Sequence, residues 1–260
     1  MKKAAIVCGA GLLLFFGIWL VVFPETYITS LIENSVDDPD MRLEVSGLRK
    51  GPLYSFTAEG IALKKAGRPL LATERIHGRI NPFSLLLLRL DMHVSGAAAG
   101  GIIKGRVDLI RGKSHVLLTL EKADLASIPL FPLAGVKGTG TFSGRMKIDG
   151  PTGDIRFEIT DARLESSSFG GIALPLNIFR SARGALSIAN KTVTVSSFAL
   201  EGEDIYARMK GTIAGGRLKL TMEVMPGRSF MENNPLALFL EAYKVSPGYY
   251  AIPVAGDLLL

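Results

Sequence analysis

The sequence predicts a mainly β protein: an N-terminal transmembrane helix, then a large curved antiparallel sheet, as a groove or a flattened barrel, with a few short helices. Three observations predict it. An uncharged apolar run opens the chain. A period of two dominates from about residue 41 to 225. Glycine-rich turn signals separate the alternating runs.

The chain has 260 residues, with 48% hydrophobic residues and a mean hydropathy of +0.30. That is too apolar for a disordered chain, and the length suits one membrane segment plus one or two domains sharing a continuous core. The formal charge is +6, but the basic residues are spread singly, as at Arg42, Lys104, Arg106, Lys113, Arg145, Lys147, Arg156 and Lys210. Backbone recognition of nucleic acid needs clustered charge, so no nucleic-acid partner is expected. Cys8 is the only cysteine, which leaves no intrachain disulfide.

Lys2 and Lys3 precede twenty uncharged residues, Ala4 to Phe23, among them Leu13, Phe16 and Trp19. As a helix this run is roughly 30 Å long, the thickness of a hydrocarbon core. Trp19 near its distal end suits a membrane interface. A cleaved signal peptide is the competing reading, but the run ends in "VVFPETYI", without a small-x-small site. Residues 1–23 are therefore expected to be a cytoplasmic stub and retained anchor in the bacterial inner membrane. The lysines keep the N-terminus in the cytoplasm, which places the remainder in the periplasm.

Residues 24–40 are expected to be a juxtamembrane helix and linker. Pro24 suits a first turn, Glu25 the positive end of the helix dipole, and Tyr27, Ile28, Leu31, Ile32 and Val36 an apolar stripe. "DDPD" at 37–40 breaks the helix. This helix should dock on the end of the β-region, or else simply continue the anchor.

Residues 41–260 are expected to form a periplasmic β-rich domain. Leu88, Leu90, Met92 and Val94 alternate with Arg89, Asp91, His93 and Ser95. Across 136–149, Val136, Gly138, Gly140, Phe142, Gly144, Met146 and Ile148 share one face, and Lys137 to Asp149 the other. Ile155, Phe157 and Ile159 continue the pattern, as do Val193 with Val195, Ile205 with Ala207 and Met209, and Leu218 with Leu220, Met222 and Val224. Each strand thus has a dry face and a wet face. "SGAAAGG", "RGK", "DGPTGD", "SFGG" and "AGG" supply the turns. Helical turns are expected near 81, near Asp124 and over 233–244, where Pro235 precedes a stripe of Leu236, Phe239, Leu240 and Tyr243.

Roughly twelve strands with so few helices must curl, pair with a second sheet, or line an apolar groove. Glycines on the apolar face at 138, 140 and 144 serve tight packing and bending, or make room for a lipid chain. Candidate liners of such a groove are Leu90, Met92, Val94, Phe142, Met146, Phe157, Met209 and Met222.

The segments "YITSLIENSV", "LEVSGLRKGPLYSFTAEGIAL", "INPFSLLLLRLDMHVSGAAAGGIIKGRVDL", "LASIPLFPLAGVKGTGTFSGRMKIDG" and "FGGIALPLNIFRSARGALSIANKTVTVSSFALEGEDIYARMKGTI" follow the anchor in order. In this layout the chain resembles the type II secretion system protein N family, in its deltaproteobacterial GspN form, and more distantly the AsmA-like proteins. The first resemblance implies an accessory inner-membrane component of the type II secretion apparatus, with other secretion-system envelope proteins as partners. The second implies a curved sheet whose apolar concave face binds or transfers lipid. Neither implies a cofactor, metal or catalytic residue.

The residues themselves agree with a non-enzymatic reading. His77, His93 and His115 lie far apart in sequence, without H-E-x-x-H or paired cysteines. Asp37, Asp38 and Asp40 lack the glycine and terminal glutamate of a calcium loop. "GTGTFSG" at 138–144 sits inside an alternating strand with no helix after it, unlike a phosphate loop.

Overall fold

The computed structural model describes residues 17, 19, 24–34, 40–87, 89–110, 113–133, 135–169, 172–190 and 192–257. Ala4, Leu13, Phe16 and Phe23 of the expected anchor lie outside these residues, as do Val36, Asp37 and Asp38. Among the described residues no helix is long and apolar enough to cross a membrane.

Alternation becomes strand almost throughout. The strands are β1 (Met41–Ser46), β2 (Arg49–Lys50), β3 (Ser55–Lys65), β4 (Arg68–Ile80), β5 (Arg89–Ala98), β6 (Gly101–Ile110), β7 (Lys113–Asp124), β8 (Gly138–Asp149) and β9 (Thr152–Leu164). They continue with β10 (Ser167–Phe169), β11 (Ile172–Leu174), β12 (Phe179–Ala189), β13 (Thr192–Gly202), β14 (Ile205–Ala214), β15 (Arg217–Pro226), β16 (Lys244–Ser246) and β17 (Tyr249–Asp257). The helices are short: α1 (Glu25–Glu33), α2 (Pro82–Leu86), α3 (Leu130–Leu133), α4 (Arg228–Asn233) and α5 (Leu236–Glu241).

Fifteen strands form one antiparallel sheet in the order β1-β3-β4-β5-β6-β7-β8-β9-β12-β13-β14-β15-β17-β16, with β2 beside β3. The order does not return on itself, so the sheet is open and the flattened-barrel alternative falls. β10 and β11 form a separate hairpin. The strand count exceeds the expected dozen because β2, β10, β11 and β16 span two or three residues, too few for alternation to register.

The chain divides into two compact units. Unit 1 comprises Met1–Ala98 and Ile103–Ser114; unit 2 comprises Ala99–Ile102 and His115–Leu260. Each unit has its own apolar core.

In unit 1 the core gathers Trp19, Ile28, Ile32, Tyr54, Phe56, Ile80 and Met92. Helix α1 starts after Pro24 and buries Ile28 and Ile32 on the strands, while Tyr27 of the expected stripe faces outward. Its acids fix the docking. The Glu33 carboxylate accepts from the backbone N–H of Val45 at 3.2 Å, and that of Glu25 from the N–H of Lys50 at 3.0 Å. A donor on the outermost strand β1 is thereby satisfied by a side chain.

The β3–β4 hairpin closes through Ala66 and Gly67, both in the left-handed region at φ 48° and 80°. That is the geometry of a two-residue type I′ turn, which favours asparagine followed by glycine. Alanine there carries its Cβ at a conformational cost. Ala66→Asn is expected to stabilise unit 1 by about 0.5–1 kcal/mol, read as a rise of a few degrees in the thermal midpoint by circular dichroism.

In unit 2 the core gathers Leu125, Ile159, Ala162, Phe179, Ala182, Leu200, Ala207, Met222, Val224, Tyr250 and Ile252, with Phe230 and Leu240 from the helices. Asp204 sets the path into α4: its backbone carbonyl accepts from Gly227 N–H at 2.8 Å and its carboxylate from Phe230 N–H at 2.7 Å. Tyr250 on β17 donates its hydroxyl to the Glu241 carboxylate at the end of α5. Asp124 caps the 3₁₀ turn Leu125–Ser127 by accepting from Ala126 N–H, as expected of a helical turn there.

Candidate functional site

Register determines which apolar side chains share a row across the sheet of unit 2. One row runs Phe142, Ile159, Ala182, Leu200, Ala207, Val224 and Tyr250 from β8 to β17. All but Phe142 are buried, and the row belongs to the core shared with Phe230 and Leu240.

The next row runs Leu120, Gly144, Phe157, Gly184, Phe198, Met209, Met222 and Ile252. Its glycines make room for rings. Gly184 lies directly opposite Phe157, and a Cβ on Gly184 would overlap the Phe157 ring. A Cβ on Gly144 would come within 3.0 Å of the Phe142 ring. The rings of Phe142, Phe157 and Phe198 follow one another at 5.8 and 5.9 Å between centroids, with Phe131 edge-on to Phe142. Aromatic pairs at these separations attract beyond their area burial. Of the two readings of glycine on this face, tight packing is what Gly144 and Gly184 serve, since protein rings occupy the space. Unit 1 repeats the device: Gly78 faces Phe56 across β3 and β4, and the ring fills its place.

Two further rows differ. One runs Leu118, Met146, Ile155, Leu186, Val195, Gly211, Leu220 and Val254. The other runs Val116, Ile148, Gly153, Ile188, Val193, Ile213 and Leu218. Met146, Ile148, Ile155, Leu186, Ile188, Val193, Ile213 and Leu220 are only half-buried. Adjacent aliphatic side chains at the same level on β8, β9, β12, β13 and β14 thus leave a continuous apolar strip in contact with solvent.

The opposite face of the same strands is charged. Arg183 lies 3.2 Å from Glu158 and 3.8 Å from Glu201, and Lys210 pairs with Glu223. The Lys210 ammonium, against the opposing effect of burial, holds the Glu223 carboxyl below the usual carboxylate range. In unit 1, Asp91 accepts a bidentate pair of bonds from Arg106 at 3.0 Å, and Asp108 pairs with Arg89. Burial opposes the Asp91 charge, but bonds from Arg106 and Asn81 outweigh it and lower the carboxyl. Carboxylates depressed in the folded state contribute stability above their ordinary range and lose it as pH falls through the depressed value. The thermal midpoint is therefore expected to hold from pH 8 to 5 and fall steeply below about pH 4, with a shallower acid limb in Asp91→Asn. A pH series of melting curves checks this.

The eight candidate liners separate between the units. Leu90, Met92 and Val94 belong to the core region of unit 1, where Met92 is buried. Phe142, Phe157 and Met209 are half-buried against the core of unit 2, and Met222 is buried within it. Met146 alone of the eight lies on the solvent-facing rows. Ile148, Ile155, Leu186, Ile188, Val193 and Ile213 accompany it, while Leu220 packs against the unit 2 core and Val195, Leu218 and Val254 of the same rows are buried. Ile155, Val193 and Leu220 were visible as alternating positions, but nothing in their spacing separates a roofed position from an open one.

Trp19 is buried, with its indole N–H donating to the Gly51 carbonyl at 3.0 Å and its ring 5.0 Å from that of Tyr54. The polar ring edge expected to reach an interface is thus satisfied by protein. His77 and His93 are exposed on β4 and β5; His115 lies 2.9 Å from Asp149. Among the described residues no three His, Cys, Asp or Glu side chains gather to hold a metal ion.

An open antiparallel sheet with one charged face and one partly unroofed apolar face is the class that this geometry defines. No family model, curated protein or solved structure matches the chain.

Proposed function

We propose that the chain is a non-enzymatic, inner-membrane-anchored periplasmic protein whose unit 2 binds the acyl chains of lipids along its open apolar rows. The single observation that carries this reading is the half-buried strip of Met146, Ile155 and Leu186 with Ile148, Ile188, Val193 and Ile213 beside it. The strip crosses the five strands from β8 to β14, which at a spacing of ~4.8 Å makes it roughly 19 Å long. That is close to the ~15 Å of one leaflet's hydrocarbon, half of a bilayer's ~30 Å core, and so to the length of one acyl chain. Such a face supplies the non-directional burial that a saturated chain needs, and no polar group that would demand a partner.

The test is photo-crosslinking of the full chain in vesicles that contain a phospholipid with a photoreactive acyl chain. Adducts on peptides carrying Ile155, Leu186, Val193 and Ile213 are expected. Adducts confined to the apolar N-terminal run would overturn the reading.

A second reading, an accessory of the type II secretion apparatus, follows from the family resemblance. One observation favours it. β16 ends the sheet order with Lys244, Val245 and Ser246 all exposed, and an outer strand of this kind can accept a strand from a partner. Co-purification of secretion components with the full chain supports it; unchanged secretion after deletion of the gene counts against it.

A further inference from the structure

Four large apolar side chains of unit 1 stand out into solvent: Tyr27 at 49% exposure, Leu53 at 51%, Phe83 at 70% and Leu87 at 76%. Single exposed apolar residues are ordinary on any surface. These four are tied to one place. The turn before β3 carries Leu53, and its Gly51 carbonyl accepts from the Trp19 indole. The same turn region meets the start of α1, where Lys50 N–H donates to Glu25, two residues before Tyr27. Tyr54, next to Leu53, accepts from Ile80 N–H at 2.9 Å. The chain then passes directly through Asn81 into α2, which presents Phe83, and on to Leu87.

The backbone of the turn adds a second observation. Leu53 and Tyr54 both adopt the left-handed region, at φ 55° and 59°, a conformation that leucine rarely takes. It sends Tyr54 into the core, 3% exposed, and Leu53 outward. Packing inside the protein accounts for Tyr54 but offers no reason for a leucine beside it.

The sequence says what covers this end. The uncharged run from residue 4 to residue 23 leads straight into Pro24, and Trp19 from within it is bonded to the very turn that carries Leu53. We infer that this end of unit 1 seats in the interfacial layer of the lipid bilayer through Leu53, Phe83 and Leu87. The inference rests on the anchor reading of residues 4–23. Phenylalanine and leucine side chains in the interface bury apolar area among headgroups and upper acyl segments, and three of them beside the anchor fix the orientation of unit 1 on the membrane surface.

The experiment uses the full chain in vesicles of phosphatidylethanolamine and phosphatidylglycerol. One preparation carries an environment-sensitive fluorophore on the native Cys8. Others carry it on Leu87→Cys, on Leu53→Cys or, as a control on the charged face of unit 2, on Thr194→Cys, each with Cys8→Ser. Lipids brominated near the headgroup or near the chain end serve as quenchers. The expected result is loss of fluorescence at positions 87 and 53 with the shallow quencher, loss at Cys8 with both quenchers, and none at position 194. Quenching at Cys8 with positions 53 and 87 as bright as position 194 overturns the interfacial seat and leaves the anchor standing. No quenching at any position overturns both. Quenching at 53 and 87 without Cys8 overturns the anchor and keeps the seat.

Discussion

Replacing Gly184 with valine is expected to destabilise the full chain by about 3 kcal/mol, a fall of roughly 10 °C in the thermal midpoint for a protein of this size. The cause is local. Gly184 sits opposite Phe157 on the neighbouring strand, and the ring occupies the place of a Cβ. Any side chain there must push the ring off its rotamer and away from Phe142, on which it stacks, and Phe198, against which it is tilted. The penalty should shrink when the ring is removed. In a Phe157→Leu background the same substitution is expected to cost less than half as much, because residues in direct contact couple non-additively. Equal costs in both backgrounds would show that backbone conformation, not the ring, demands glycine.

Leu186→Asp and Ile155→Asp should act oppositely, sparing the fold and removing the lipid. These residues are direct cross-strand partners and half-buried, so a carboxylate at either position can reach water. A charge in the middle of the apolar rows, however, must be desolvated by any acyl chain laid over it. Photo-crosslinking to unit 2 is expected to fall at least tenfold, which corresponds to about 1.4 kcal/mol. Thr194→Asp, on the charged face, should leave it unchanged. An equal loss from all three substitutions would mean that the crosslinks report on the outer surface in general.

The β class was legible because alternation survives in single strands: β8 and β15 appear as the sequence pattern places them, and α5 follows Pro235. What was not legible depends on pairing between distant strands. Leu90, Met92 and Val94 alternate just as Phe142, Phe157 and Met209 do, yet they serve a different core, because Phe56 and Ile80 pack with the first set and Leu200 and Val224 with the second. Local spacing carries no record of such partners. Trp19 shows the same limit. An indole near the end of an apolar run suits an interface, whereas its bond to Gly51 spans thirty-two positions. Nothing in the sequence marks Gly78 or Gly184 as the seat of a ring, since that depends on the phenylalanine across from each.

The Glu33 carboxylate that holds Val45 N–H has a bearing on self-association. That bond occupies one donor of β1, whereas Lys244, Val245 and Ser246 of β16 at the other end of the sheet order are all exposed. Copies joined through β16 meet like with like, two to a pair.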